Sequence, residues 1–220
     1  MNMKRTALAA LMGALCGVGQ VWAADPNSDA FTIRITPSVD YGVDVDTATT
    51  QLAGDGGPLG LGSAHALSLN STYYFVSPAT VTVLGNFSNQ EVSVSAAGLD
   101  TWLVDADEAI ELNRVQLYAL FTTNKSSRPL ETEFGSDAAR HQVTGSAQFA
   151  GETSGSETNV RATNRYEIAN GDMTGGADMD GLSVSNLRQL WLRLDTPSET
   201  SVDTEQKVQV TVTAASGVTN

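Results

Sequence analysis

The chain has 220 residues, with 25 acidic against 12 basic side chains, a net charge of −13, one cysteine and two histidines. That acidity excludes the electrostatics of nucleic-acid binding and of docking on anionic membranes, since both draw on basic patches. A single cysteine excludes an intrachain disulfide framework. Stability must then come from burial, which a chain of this length supplies within one domain.

The first residues, MNMKRTALAALMGALCGVGQVWA, have the layout of a secretory signal peptide. Lys4 and Arg5 form a basic start, Thr6 to Val18 an apolar stretch, and Val21 and Ala23 put small residues at the cleavage positions. The apolar run is shorter than the ~20 residues of a spanning helix, and no later segment is long and apolar enough to span. Leu15 stands where lipid attachment to Cys16 would need a small residue. Lys4-Arg5 is no twin-arginine signal, so export of an unfolded chain without a preloaded large cofactor is expected. Cleavage after Ala23 removes Lys4, Arg5 and Cys16, which leaves residues 24–220 without cysteine and more acidic than the whole chain.

Asp25 to Asp29 is a polar leader. In Phe31 to Ile35, apolar residues alternate strictly with Thr32 and Arg34, which predicts a half-buried strand. Pro37 interrupts it, and Tyr41, Val43 and Val45 resume the alternation with Asp40, Asp44 and Asp46 on the other face. Thr49 to Gly62, with five glycines and Pro58, reads as a loop. Leu67 to Val76 is strand-like. Thr80–Leu84 and Glu91–Ala96 are clearer strands, and the turn-rich Asn86–Asn89 between them predicts a hairpin. Arg114 to Thr122 predicts a strand from Val115 on, a helix over Glu108–Phe121 being the alternative.

Large apolar residues are sparse from Asn124 to Gly181. The segment 125–185 is expected to be a polar insertion with a short helix around Ser136–Gln142, capped by Ser136. The chain then returns to alternation. Leu190, Leu192 and Leu194 share one face with Trp191 and Arg193 on the other, and Val208, Val210 and Val212 alternate with polar residues. Short alternating strands and Gly/Pro/Asn/Asp turns predict an all-β fold. The expectation is an antiparallel β-sandwich, immunoglobulin-like or jelly-roll-like, with long polar loops and one short helix. No internal repeat is visible, which argues against a solenoid or propeller.

Chemistry is thin. His65 and His141 match no zinc motif and no nucleophile elbow. Gly54-Asp55-Gly56 starts a dinucleotide fingerprint, but Leu59 replaces its third glycine. Carboxylates cluster at Asp44/Asp46, Asp105/Asp107/Glu108 and Asp172/Asp178/Asp180. A glycosidase needs two of them facing across a cleft, and Asp178-x-Asp180-Gly181 is a fragment of calcium-loop patterns. Trp102, Trp191, Tyr73, Tyr74, Tyr118 and Tyr166 are the candidates for a sugar-stacking platform. Asn70, Asn86 and Asn124 stand in glycosylation sequons. No catalytic, cofactor-binding or metal-binding residue is assigned, and no cofactor.

The closing pattern LWLRLDTP, a polar turn region and QKVQVTVTA, together with the asparagine turn Asn86–Asn89 leading into a valine strand, resembles bacterial secreted β-sandwich proteins. It is loosely similar to the WxL-type cell-surface domains. The resemblance implies a structural module outside the cytoplasm and no catalytic residue. The expected function is therefore that of an exported structural or adhesive protein of the periplasm, cell surface or surroundings, and not an enzyme. Its expected partners are copies of itself, envelope proteins or glycans. The alternatives are a carbohydrate-binding module using exposed aromatics, with calcium as an optional ligand, and a small carboxylate-dependent hydrolase.

Overall fold

In a computed structural model, the structure describes residues 32–105, 111–135, 141–151, 165, 166, 179 and 181–217. The chain divides into two units, Met1–Pro37 and Ser38–Asn220. The expected signal peptide lies outside the described residues, as do Asp107, Glu108, Asp172, Asp178 and Asp180. All the strands described belong to the second unit.

That unit is a sandwich of two mainly antiparallel sheets. The first contains β1 (Tyr41–Asp46), β2 (Gln51–Leu52), β3 (Leu59–Gly60), β4 (Thr72–Ser77), β5 (Ala79–Gly85), β7 (Leu103–Val104), β8 (Arg114–Thr122), β9 (Gln142–Val143) and β12 (Leu187–Asp195). The second is ordered β11 (Arg165–Tyr166), β10 (Gln148–Gly151), β6 (Gln90–Gly98), β13 (Val208–Ser216). The short pairs β7–β8 and β10–β11 are parallel. A single short helix, α1, is described at Glu131–Gly135. The expected helix at Ser136–Gln142 falls mostly outside the described residues.

β12 is the centre of the first sheet. β8 pairs along one edge of it, and β5 and β4 share the other. Between the pairs Leu190–Ala79 and Arg193–Tyr74, β12 advances three residues and its partner five. β4 and β5 are thus one strand broken by a bulge at Pro78, where a residue without an N–H cannot continue the ladder.

The faces follow from the alternation. Leu190 and Leu192 of β12 turn inward with Leu117, Ala119 and Phe121 of β8. Val81 and Val83 of β5 and Val92 and Val94 of β6 fill the space between the sheets at one end. Gln90, fully buried, fastens that end. Its Nε2 donates to Leu84 O at 2.7 Å and Phe87 O at 2.8 Å, and its Oε1 accepts the Gly42 N–H at 3.2 Å. Gly217 N–H donates to Asn89 O beside it at 2.7 Å.

Three expectations need correction. Of the alternating Phe31–Ile35 segment, Phe31 lies outside the described residues and the rest is no strand: residues 32–40 form none, because alternation makes a strand only where a neighbour completes the hydrogen-bond ladder. Leu67–Val76 shortens to Thr72–Ser77. Thr80–Leu84 and Glu91–Ala96 are not a hairpin, since β5 and β6 lie in different sheets. Gly85, at φ 93°, turns the chain across the sandwich, and the two valine faces meet through the core instead of along an edge. Within 125–185, Phe134, Ala150, Tyr166, Met179 and Leu182 are buried in the core, so a few large side chains at the right places suffice where composition looks polar.

Gln90→Leu keeps the volume and removes the amide. It is expected to lower the unfolding free energy by about 1–3 kcal/mol, because Gly42 N–H, Leu84 O and Phe87 O lose their partner. Urea denaturation followed by intrinsic fluorescence measures this, and an unchanged midpoint would show the clamp to be dispensable.

Candidate functional site

The sandwich is closed at the Gln90 end and open at the other. There Ala79 of β5 and Val208, Val210 and Val212 of β13 are too small to bridge the ~10 Å that separates packed sheets. The result is a cavity of about 1110 Å3 between the sheets. Leu190, Leu192 and Leu194 form its floor with Val115 and Leu117, and the three β13 valines form the opposite wall.

Two loops form the lips, and both are held by side-chain hydrogen bonds. On the first, Asp55 accepts Ser68 Oγ–H at 2.6 Å and Tyr73 Oη–H at 2.5 Å, and Tyr73 Oη accepts the Ser68 N–H at 2.7 Å. Thr196 Oγ1 adds a bond to Ser68 O at 2.8 Å. On the second, Gln206 Oε1 accepts the N–H groups of Thr101 and Trp102 at 2.9 and 3.0 Å. The Trp102 indole donates to Thr200 Oγ1 at 2.9 Å. Asn113, at φ 58°, accepts the Ser201 N–H at 2.9 Å. Asp203, Glu205 and Lys207 line this second lip, and none of them stood out in the sequence.

The residues that did stand out are scattered. His65 lines the cavity from the first lip, with both ring nitrogens shielded and without a hydrogen-bond partner among the described residues. His141 is buried before β9 and is not part of the lining, so the histidines are not brought together. Asp44 and Asp46 are exposed on β1. Asp105 is buried beside Arg114, with Nη1 and Oδ1 3.6 Å apart. Among the described residues no group of three or more His, Cys, Asp or Glu is placed to hold a metal. No helix among them is long and apolar enough to cross a membrane. The Asn86 amide is occupied, accepting the Asp40 N–H at 2.7 Å and donating to Ser38 O at 3.1 Å.

The aromatic candidates serve packing. Trp191 is 2% exposed, and its indole donates to Thr122 Oγ1 at 3.0 Å. Beside it Arg193 makes a two-point contact with Asp195, Nε–Oδ1 at 3.0 Å and Nη2–Oδ2 at 2.8 Å, and lies over the Tyr118 ring. Burial pulls the Arg193 pKa down, but Asp195 and the nearby tyrosines outweigh it and raise the pKa on balance. Tyr74 packs on Phe134 of α1 and carries Arg128 over its ring. Its burial raises the phenol pKa despite Arg193 and Arg128. Tyr73, Tyr118 and Tyr166 are buried, and Trp102 is half-buried. The outer face of β12 is therefore an interior surface.

Among the described residues β13 pairs only with β6, along nine residues, VQVTVTAAS, that include no charge and no proline, and β1 lies against it. The fold and cavity thus define an all-β sandwich with an apolar cleft between its sheets. Comparison with known protein families and with curated proteins returns no match for this chain.

The bonds from Ser68 and then Tyr73 hold the Asp55 carboxyl below its ordinary value of 3.8. Their contribution is complete above that value and is lost as the pH falls below it towards the folded-state pKa. Asp55→Asn imitates the protonated state at neutral pH. It is expected to speed hydrogen exchange across 61–69 while β6 and β12 stay protected. Unchanged exchange in 61–69 would show that the lip is held by other contacts.

Proposed function

We propose that this is an exported, non-catalytic structural protein that acts at the cell envelope or outside the cell through surface contacts. One observation carries the reading: a preorganised apolar cleft opens between the two sheets, lined by Leu190, Leu192 and Leu194 on one side and Val208, Val210 and Val212 on the other. Unfilled apolar volume between fixed lips is suited to receive an apolar group of a partner. The lips are fixed before any partner arrives, which lowers the ordering cost of association. The signal-peptide pattern of residues 1–23 and the acidic balance of the rest suit an exported, soluble chain. The sugar-stacking alternative has less support, because its candidate aromatics are engaged in packing and hydrogen bonds.

Mass spectrometry of cell fractions is expected to find a chain beginning at Ala24 outside the cytoplasm. Cross-linking in cells is expected to produce adducts heavier than the monomer. A cytoplasmic chain retaining residues 1–23, or one that stays monomeric under every cross-linker, would overturn the proposal.

A further inference from the structure

The inward valines at the two ends of the sandwich meet different surroundings. Val81, Val83, Val92 and Val94, at the Gln90 end, are no more than 1% exposed. Val208, Val210 and Val212 also turn inward, with Gln209 and Thr211 exposed between them, yet they stay half-buried. Leu67 and Leu194, in the lining of the same cavity, are half-buried too. These side chains have the orientation of a core and lack its contacts. The volume they surround, about 1110 Å3, is that of a site for a small organic molecule. β1 lies against β13, and Val45 of β1 joins the lining. With both lips tied by hydrogen bonds, the space is a pocket with its mouth between loops, a shape that suits a small molecule better than a protein segment.

The mouth sets the polarity of the guest. Asp203 and Glu205 stand there, and Lys207, the single basic side chain of the lining, lies 3.6 Å from Glu205. His65 gives the cavity no hydrogen-bonding group, because both of its ring nitrogens are covered. A carboxylate or phosphate on the guest would meet like charge and a cation already shared with Glu205. Ser63 and Thr204 line the same cavity, and their hydroxyls suit a neutral polar end.

Resting on the reading of the cleft as the receiver of an apolar group, we infer that this cavity binds a small uncharged lipid. Its aliphatic body lies between the β12 leucines and the β13 valines, and its neutral polar end lies at the mouth. The guest takes Val208, Val210 and Val212 out of water, as packing does for the valines at the Gln90 end. The acidic mouth discriminates against the anionic lipid of the same chain length.

The test uses the chain of residues 24–220 and N-phenyl-1-naphthylamine, an uncharged apolar dye that brightens out of water. The dye is expected to bind one per chain, and 1-dodecanol is expected to displace it. Dodecanoate at neutral pH is expected to compete roughly 10-fold more weakly. Asp203→Lys/Glu205→Lys alters only exposed side chains and is expected to narrow that gap by tightening dodecanoate. Val210→Trp fills the pocket and is expected to weaken dye binding at least about 10-fold with an unchanged circular dichroism spectrum. Should Val210→Trp fail to fold, Leu194→Trp fills the pocket from the opposite wall.

Three outcomes overturn the inference: no saturable dye binding that 1-dodecanol reverses, dodecanoate competing as well as 1-dodecanol, or a folded pocket-filling variant that binds like wild type. If no lipid binds while the exported chain still cross-links to an envelope protein, the lipid site is wrong and the surface-contact reading stands. If the lipid binds and the chain proves cytoplasmic, the site stands and the envelope reading falls.

Discussion

The buried amide of Gln90 is the constraint on which the shape of the sandwich depends. One side chain satisfies a backbone N–H of β1, a carbonyl at the end of β5 and a carbonyl of the turn that follows. It does so from the first residue of β6, in the opposite sheet. The sheets are thereby held at one end, where valines from both fill the gap. At the other end the ties run through the loops, from Trp102 through Thr200 to Asn113. There the inward positions of β5 and β13 are Ala79, Val208, Val210 and Val212, and sheets that twist apart over such residues leave unfilled volume. The cleft is thus the other half of the same arrangement, packed where large side chains meet and open where small ones do.

The first sheet is sealed on its outer side. β8 is buried on both faces, which is unusual for an antiparallel strand in a two-layer sandwich. A polar layer with all its hydrogen-bonding groups engaged makes this possible. Trp191 bonds Thr122, Thr122 bonds Gln189, and Asp195 receives both Arg193 and Thr72. Phe134 of α1 packs against Tyr74, close to this layer. A buried ion pair such as Arg193–Asp195 adds little net stability over an apolar replacement, but it specifies how the cover sits.

Much of this arrangement was legible in the chain. The alternation in Tyr41–Val45, Leu190–Leu194 and Val208–Val212 identifies strands and their inward faces, because side chains alternate with a period of two whatever the strand pairs with. The same rule misleads at Phe31–Ile35, where the pattern is present and the partner is not. It is also silent about which sheet a strand joins. The Val81/Val83 and Val92/Val94 pairs read as hairpin partners and are core partners across two sheets. The candidate site escaped detection because it is made of common residues. Valine, leucine and alanine carry no chemical signature, and their role here comes from what they fail to fill.

The sequence by itself determined the all-β class, the inward positions of the main strands and the acidity, because these follow from local alternation and from charge counting. Tertiary structure alone decided that β12 and β13 belong to different sheets, that Trp191 and Arg193 are covered, and that Gln90 holds one end of the sandwich. It also decided that the valines of β13 line an apolar cleft. The reason is physical: hydrogen-bond partners and unfilled volume belong to pairs of segments far apart in the chain, and no local pattern encodes which pairs will meet.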